Sequence, residues 1–151
     1  LGQVQWGRLD VLLIDLPPGT GDVQMTLCQK TEVAGAIIVS TPQDIALIDA
    51  RKGIDMFRKM GVPIIGLIEN MSAFVCDGCG KVHHPFGHGG AKAEAEKLGV
   101  PFLGEIPLDL AIRVAGDGGA PIVAAKPESP QAQGFWSIVD RLVSVEEEAE
   151  A

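Results

Sequence analysis

Four apolar runs punctuate the chain: LDVLLID (residues 9–15), GAIIVST (35–41), VPIIGLIEN (62–70) and VPFLGEIP (100–107). None alternates apolar with polar positions. Strands covered on both faces read this way, and they belong to parallel sheets layered between helices. Segments with helical spacing separate the runs. In residues 41–60, Thr41 is placed to cap a helix, Pro42 to fill its first position and Asp44 to serve as the capping-box acid. Ala46, Ala50, Gly53, Phe57 and Met60 then share a face, and Gly61 ends the helix. GGAKAEAEKLG (89–99), LDLAIRVAG (108–116) and SPQAQGFWSIVDRLVSV (129–145) read as further helices, and Cys28 falls on another after the PPG turn.

The order β-α-β-α-β-loop-α-β-α-α predicts the α/β class: a partial doubly wound parallel sheet with helices on both faces. The length of 151 residues predicts one domain, 1–151, and the acidic stretch at 144–151 reads as a disordered tail. Ligands of such sheets gather beyond the carboxyl ends of the strands. That rule puts residues 15–22, 41–44, 70–90 and 107–113 on one rim.

Composition removes several classes of function. The net charge of −8 argues against nucleic acid and against anionic membrane as partners. Three cysteines without a disulfide framework fit a reducing, cytoplasmic setting. The N-terminal LGQVQWGRLD lacks the regions of a signal peptide.

The candidate chemistry lies on the rim. In DLPPGTGD (15–22), Asp15 would end a buried strand, where an acid is costly unless a cation offsets it, and water-mediated Mg²⁺ is a usual partner. Gly19 leaves a bare amide able to approach a terminal phosphate, while the plainer reading makes Thr20 or Asp22 a helix cap. The stretch FVCDGCGKVHHPFGHGG (74–90) holds Cys76, Cys79 and all three histidines, His83, His84 and His88. Metal centres of this kind want four ligands. Either two histidines complete a local zinc site, or a second copy supplies two more thiolates. A redox pair needs a helix N-terminus beside the thiols, and none is evident. Cys28 reads as a small core residue.

DLPPGTGDVQMTL, TPQDIALIDARKGIDMF, IIGLIENMSAFVCDGCG, FGHGGA and VPFLGEIPLDLAIR occur in the order, and nearly the wording, of the Mrp-type iron–sulfur cluster carriers. These are deviant P-loop ATPases of the group that includes the septum-site and partition ATPases and the nitrogenase iron protein. The chain resembles that family over residues 9–142. The resemblance implies a cytoplasmic metallochaperone with ATP, Mg²⁺ and a [4Fe–4S] cluster as its cofactors. It implies a homodimer whose paired Cys76 and Cys79 bridge the cluster, and a scaffold and recipient apo-proteins as partners. It implies Asp15 for the magnesium-bound water, Gly19 for the γ-phosphate, Asn70 for the adenine edge, and Pro107 and Asp109 for base and ribose. Asn70 ending a strand and Asp109 capping the next helix are the plainer alternatives.

The family's glycine-rich loop G-K-G-G-x-G-K-[ST] has no counterpart in residues 1–151. The expectation is therefore that the chain is the C-terminal part of a P-loop ATPase domain, and that ATP hydrolysis belongs to a longer protein and not to this chain alone. A zinc-stapled module, or a membrane- or DNA-positioning ATPase of the same fold, is the alternative. The segment after Trp136, with one arginine and four glutamates, opposes the positioning role.

Overall fold

The computed structural model describes the backbone of residues 2–150 and the side-chain surroundings of residues 2–144. Among these residues the elements run α1 (Asp22–Lys30), β1 (Ala36–Ser40), α2 (Asp44–Lys59), β2 (Ile64–Asn70), β3 (Phe74–Val75), β4 (Val82–His83), α3 (Gly90–Leu98), β5 (Phe102–Ile106), α4 (Leu110–Asp117), α5 (Ile122–Ala125) and α6 (Pro130–Glu150). Strands β1, β2 and β5 form a parallel sheet in that order, and β3 and β4 form a separate antiparallel hairpin. The tail expected over 144–151 falls, from residue 145 on, outside the described side chains.

Side chains alternate across a strand, and the cores follow that rule. Leu67 meets Leu47, Ala91 and Ala95 from α2 and α3, with Ile38 against them. Ile37 and Ile68 face the other way, toward Leu103, Ile106 and Ile138 of α6. The expected doubly wound layering is therefore present, with α2 and α3 on one face and α6 on the other. A third cluster of Ala36, Phe57 and Val62 holds Cys28 against it, the core position expected from sequence.

Three local expectations change. Residues 9–15 form no strand, and Leu13 is 82% exposed. A strand of that composition needs a ladder partner and cover on both faces, and the described residues supply neither over 9–14; the run reaches the core only at Leu16. Helix α2 is capped at Gln43, which is extended, with Thr41 and Pro42 still in the approach to the helix. Its buried stripe is Leu47, Ala50, Ile54 and Phe57, which keeps Ala50 and Phe57 of the expected face and replaces Ala46 and Gly53 by the neighbouring larger Leu47 and Ile54. The loop between β2 and α3 contains a hairpin that its glycine-rich, mixed composition did not announce.

Helices α2 and α3 are joined by a bidentate ion pair. Arg51 Nε and Nη2 donate to Glu94 Oε1 and Oε2 at 2.6 and 2.7 Å, with the Glu94 side chain 6% exposed. The hydrogen bonds from Arg51, more than its charge alone, hold the Glu94 carboxyl below the usual glutamate range despite burial. A depressed carboxylate contributes stability above the unfolded-state pKa of about 4.3 and loses that contribution as pH falls through the folded value. Glu94→Gln is thus expected to lower the thermal midpoint at pH 7. The gap to the parent should narrow steadily below about pH 4, which calorimetry across pH measures.

Candidate functional site

The two cysteines sit on a rigid turn. Strands β3 and β4 pair Phe74 with His83 and Val75 with Val82, so residues 76–81 form the tip. Cys76 N–H donates to Lys81 O at 3.0 Å and Gly80 N–H to Cys76 O at 2.8 Å. Gly80 takes φ +69°, a left-handed conformation that glycine adopts without penalty. Inside the turn the N–H groups of Cys79 and Gly78 point at Cys76 Sγ, and the Cys79 side chain adds to them. Together they hold the Cys76 thiol below its ordinary range against partial burial and the Asp77 charge. Sulfur that already accepts N–H bonds is prepared as thiolate, the form in which cysteine binds metal. Cys76 is half-buried and Cys79 exposed.

The histidines are not drawn to the cysteines. His84 Nδ1 lies 2.9 Å from Ser72 O, and its ring packs on His88 with centroids 4.4 Å apart. Among the described residues, the one group of three His, Cys, Asp or Glu ligand atoms mutually within 4.8 Å is Glu69, His88 and Glu105, which includes neither cysteine. The local zinc arrangement drawn from the sequence therefore has no assembled ligand set here.

The hairpin is tied to the turn after β5. Ser72 N–H donates to Ile106 O at 3.1 Å and Leu108 N–H to Ala73 O at 2.8 Å. Asn70 lies immediately before this tie, half-buried, with its Oδ1 accepting from Met71 N–H at 3.0 Å. Met71 carries φ +57°, so the chain turns sharply out of the sheet at this point. Pro107 is inside the tied turn. Asp109 caps α4: its Oδ1 accepts from Ala111 N–H at 2.7 Å and its Oδ2 from Gln131 Nε2 at 2.9 Å. A cavity of about 580 Å³ opens between the hairpin and α4, lined by Phe74, Val75, Asp77, Asp109, Val114 and Gln131 among others.

Asp15 and Gly19 follow a segment that forms no strand. Asp15 is exposed, without the desolvation expected at the tip of a buried strand. Gly19, at φ +97°, has open space where a side chain would stand. The turn is fastened by a residue that sequence reasoning missed: buried Gln24, whose Nε2 donates to Pro17 O at 2.6 Å and Gly19 O at 3.0 Å. The expected caps Thr20 and Asp22 are not used; Gly21 is the N-cap of α1. Glu69 was also missed. It is fully buried, and its two oxygens accept from Gly89 N–H (3.0 Å) and Ala91 N–H (2.8 Å), which caps α3. The argument that singled out Asp15, an acid ending an apolar strand, applied equally to Glu69 in IIGLIEN.

Comparison with known proteins places the chain among its relatives. A family model described as ParA, NUBPL iron-transfer P-loop NTPase, matches residues 1–143. The iron-sulfur cluster transfer protein NUBPL of Dictyostelium discoideum is 51% identical over 143 residues, 95% of this chain and 44% of that protein. The iron-sulfur cluster carrier protein of Pseudomonas fragi is 52% identical over 128 residues, 85% of this chain and 45% of that protein. The solved nucleotide-binding protein of Archaeoglobus fulgidus, in complex with ADP and with cobalt found in it, superimposes with a TM-score of 0.71. It is 39% identical, over 86% of this chain and 52% of that one. The chain thus spans less than half the length of these two curated relatives.

Proposed function

This chain belongs to the ParA/NUBPL family of iron-transfer P-loop NTPases, and from that premise we propose that it is the cluster-holding part of an ATP-dependent iron–sulfur carrier. The observation that carries the reading is the hairpin tip. It presents two sulfurs three residues apart, that of Cys76 supported by N–H groups and that of Cys79 exposed, with no third ligand gathered beside them among the described residues. Two sulfurs satisfy half of a [4Fe–4S] ligand set. A second copy related by a two-fold axis supplies the other half, and the bound cluster is the cargo delivered to apo-proteins. Exposed Phe74, Val75 and Val82 flank the tip and offer the apolar surface such a homodimer would bury. A site shared between subunits is labile, because separating them halves its ligands. A scaffold that loads the cluster and recipients that take it are the partners, in a reducing cytoplasmic compartment.

The nucleotide half of the reading rests on the rim. Asn70 and Pro107 are carried on the two strand ends that the backbone ties to the hairpin, which suits contacts to the adenine and ribose. Asp109 accepts from Ala111 N–H on one oxygen and from Gln131 on the other, and each oxygen keeps a lone pair with which it can accept from a ribose hydroxyl while still capping α4. Asp15 and Gly19, accessible on their turn, suit a Mg²⁺-bound water and the γ-phosphate. The β- and γ-phosphates need a glycine-rich loop with its lysines, and residues 1–151 contain none. ATP turnover is therefore expected to be absent from the 151-residue chain by itself.

Anaerobic reconstitution with iron and sulfide, followed by sizing chromatography, tests the carrier reading. One cluster per two chains, in a dimer that parts when the cluster is removed, is the expected result. Tight metal binding by a strict monomer would overturn it.

A further inference from the structure

We propose that Glu69, His88 and Glu105 form a second, thiol-free metal site that takes a first-row divalent cation of borderline character, such as Fe²⁺, Co²⁺ or Zn²⁺. The ligand atoms of the three side chains lie within 4.8 Å of one another. Two of them are brought together by an irregularity in the sheet. The register of β2 with β5 runs Leu67 to Phe102 and then Ile68 to Gly104, so Leu103 is an extra residue. Gly104 accommodates it at φ +150°. The bulge returns Glu105 to the register position of Glu69, and paired residues share a face. Had the register continued unshifted from Leu67 and Phe102, Gly104, which has no side chain, would stand beside Glu69.

Like charges side by side on neighbouring strands repel. Glu69 is fully buried, so the repulsion is weakly screened. Its two N–H bonds from Gly89 and Ala91 offset part of its own charge and fix where the carboxylate points, leaving a lone pair on each oxygen. His88 supplies the third ligand atom. Its ring is packed on that of His84, which is itself held by Ser72 O. A buried, preset carboxylate with two exposed ligands is a site with an anchor and a mouth. The exposed His88 and Glu105 can close the remaining gap to the roughly 3 Å ligand separation that bonds of about 2.1 Å require. Mixed imidazole and carboxylate ligation selects borderline divalent cations over Cu⁺, and the imidazole disfavours Mg²⁺ and Ca²⁺.

A cavity of about 380 Å³ gives access, bordered by His88, Glu105, Gly134, Ser137, Lys92 and Arg141. The two cations on its rim are exposed, and Arg141 Nη1 is turned toward Phe102 O at 3.3 Å. The rival account is that the N–H bonds from Gly89 and Ala91 suffice to hold Glu69 beside Glu105 and no metal binds.

Co²⁺ titration of the metal-free protein carrying both C76A and C79A separates the two accounts. The expected result is one equivalent of Co²⁺ with visible bands of nitrogen and oxygen ligation and no thiolate charge transfer. His88→Ala and Glu105→Gln should each weaken that binding by at least about tenfold. Both positions are exposed, so the folded state survives the change; Glu69 is left intact because it caps α3. No bound Co²⁺ in the double-cysteine variant, or affinity unchanged by both H88A and E105Q, overturns the proposal. Neither outcome bears on cluster binding by the cysteines.

Discussion

Replacing Cys76 or Cys79 by alanine is expected to abolish cluster assembly while leaving the fold intact. Each substitution removes two thiolates from a two-fold site that needs four, so the loss is not graded. After anaerobic reconstitution, the iron–sulfur absorbance of either variant should fall to background. Both residues lie on the hairpin tip, outside the three core clusters, and among the described residues neither takes part in an ion pair or disulfide. Unfolding free energies from urea titration should therefore change by no more than about 0.5 kcal/mol. The contrast between the two readouts is the point of the experiment. A variant that keeps its chromophore would show that other residues hold the iron. Retention of metal by Cys76→Ala together with its loss in a histidine variant would shift the reading to zinc or to the glutamate–histidine group.

The largest effect on stability is expected at Gly90, the second glycine of FGHGG. A Cβ there would run into the Pro42 carbonyl oxygen and come within 3.1 Å of Leu47 Cδ1. Helix α3 cannot retreat to make room. Glu69 grips Gly89 and Ala91 on either side of the position, and Ala91 and Ala95 are fully buried. Gly90→Ala should cost about 3 kcal/mol, seen as a lower urea midpoint with the slope unchanged. Gly61 is the control. It has a left-handed φ of +74° but nothing within 4 Å of the added methyl, so alanine there should cost only about 1–2 kcal/mol of backbone strain. Equal losses at the two sites would mean that the close approach to Pro42 is not what fixes Gly90. Because Pro42 leads into α2 and Gly90 opens α3, the same contact sets the spacing of two rim segments.

Much of the site was legible because its residues are contiguous. Cys76 and Cys79 are three apart, so the sequence itself keeps the two thiols close, although the hairpin that carries them was not announced. The caps were less legible. Thr41 is a better capping residue than Gln43, yet Gln43 stands at the start of α2, because Pro42 is buried against α3 and the helix begins only beyond that contact. Asp109 was readable as a helix cap, and it does cap α4; that its other oxygen would accept from Gln131 of α6, twenty-two residues later, was not legible.

Three buried strands and the helices between them followed from local composition, since a run such as IIGLI can lower its free energy only by being covered on both faces. The strand expected over residues 9–15 did not form, for the converse reason: apolar character supplies the demand for cover but not the neighbours that provide it. The bulge at Leu103, the grip of Glu69 on α3 and the meeting of Glu69, His88 and Glu105 were beyond sequence reading. They join residues nearly twenty apart or more along the chain. Parallel pairing admits several registers with nearly equal local preference, and the choice among them is made by packing against both faces at once.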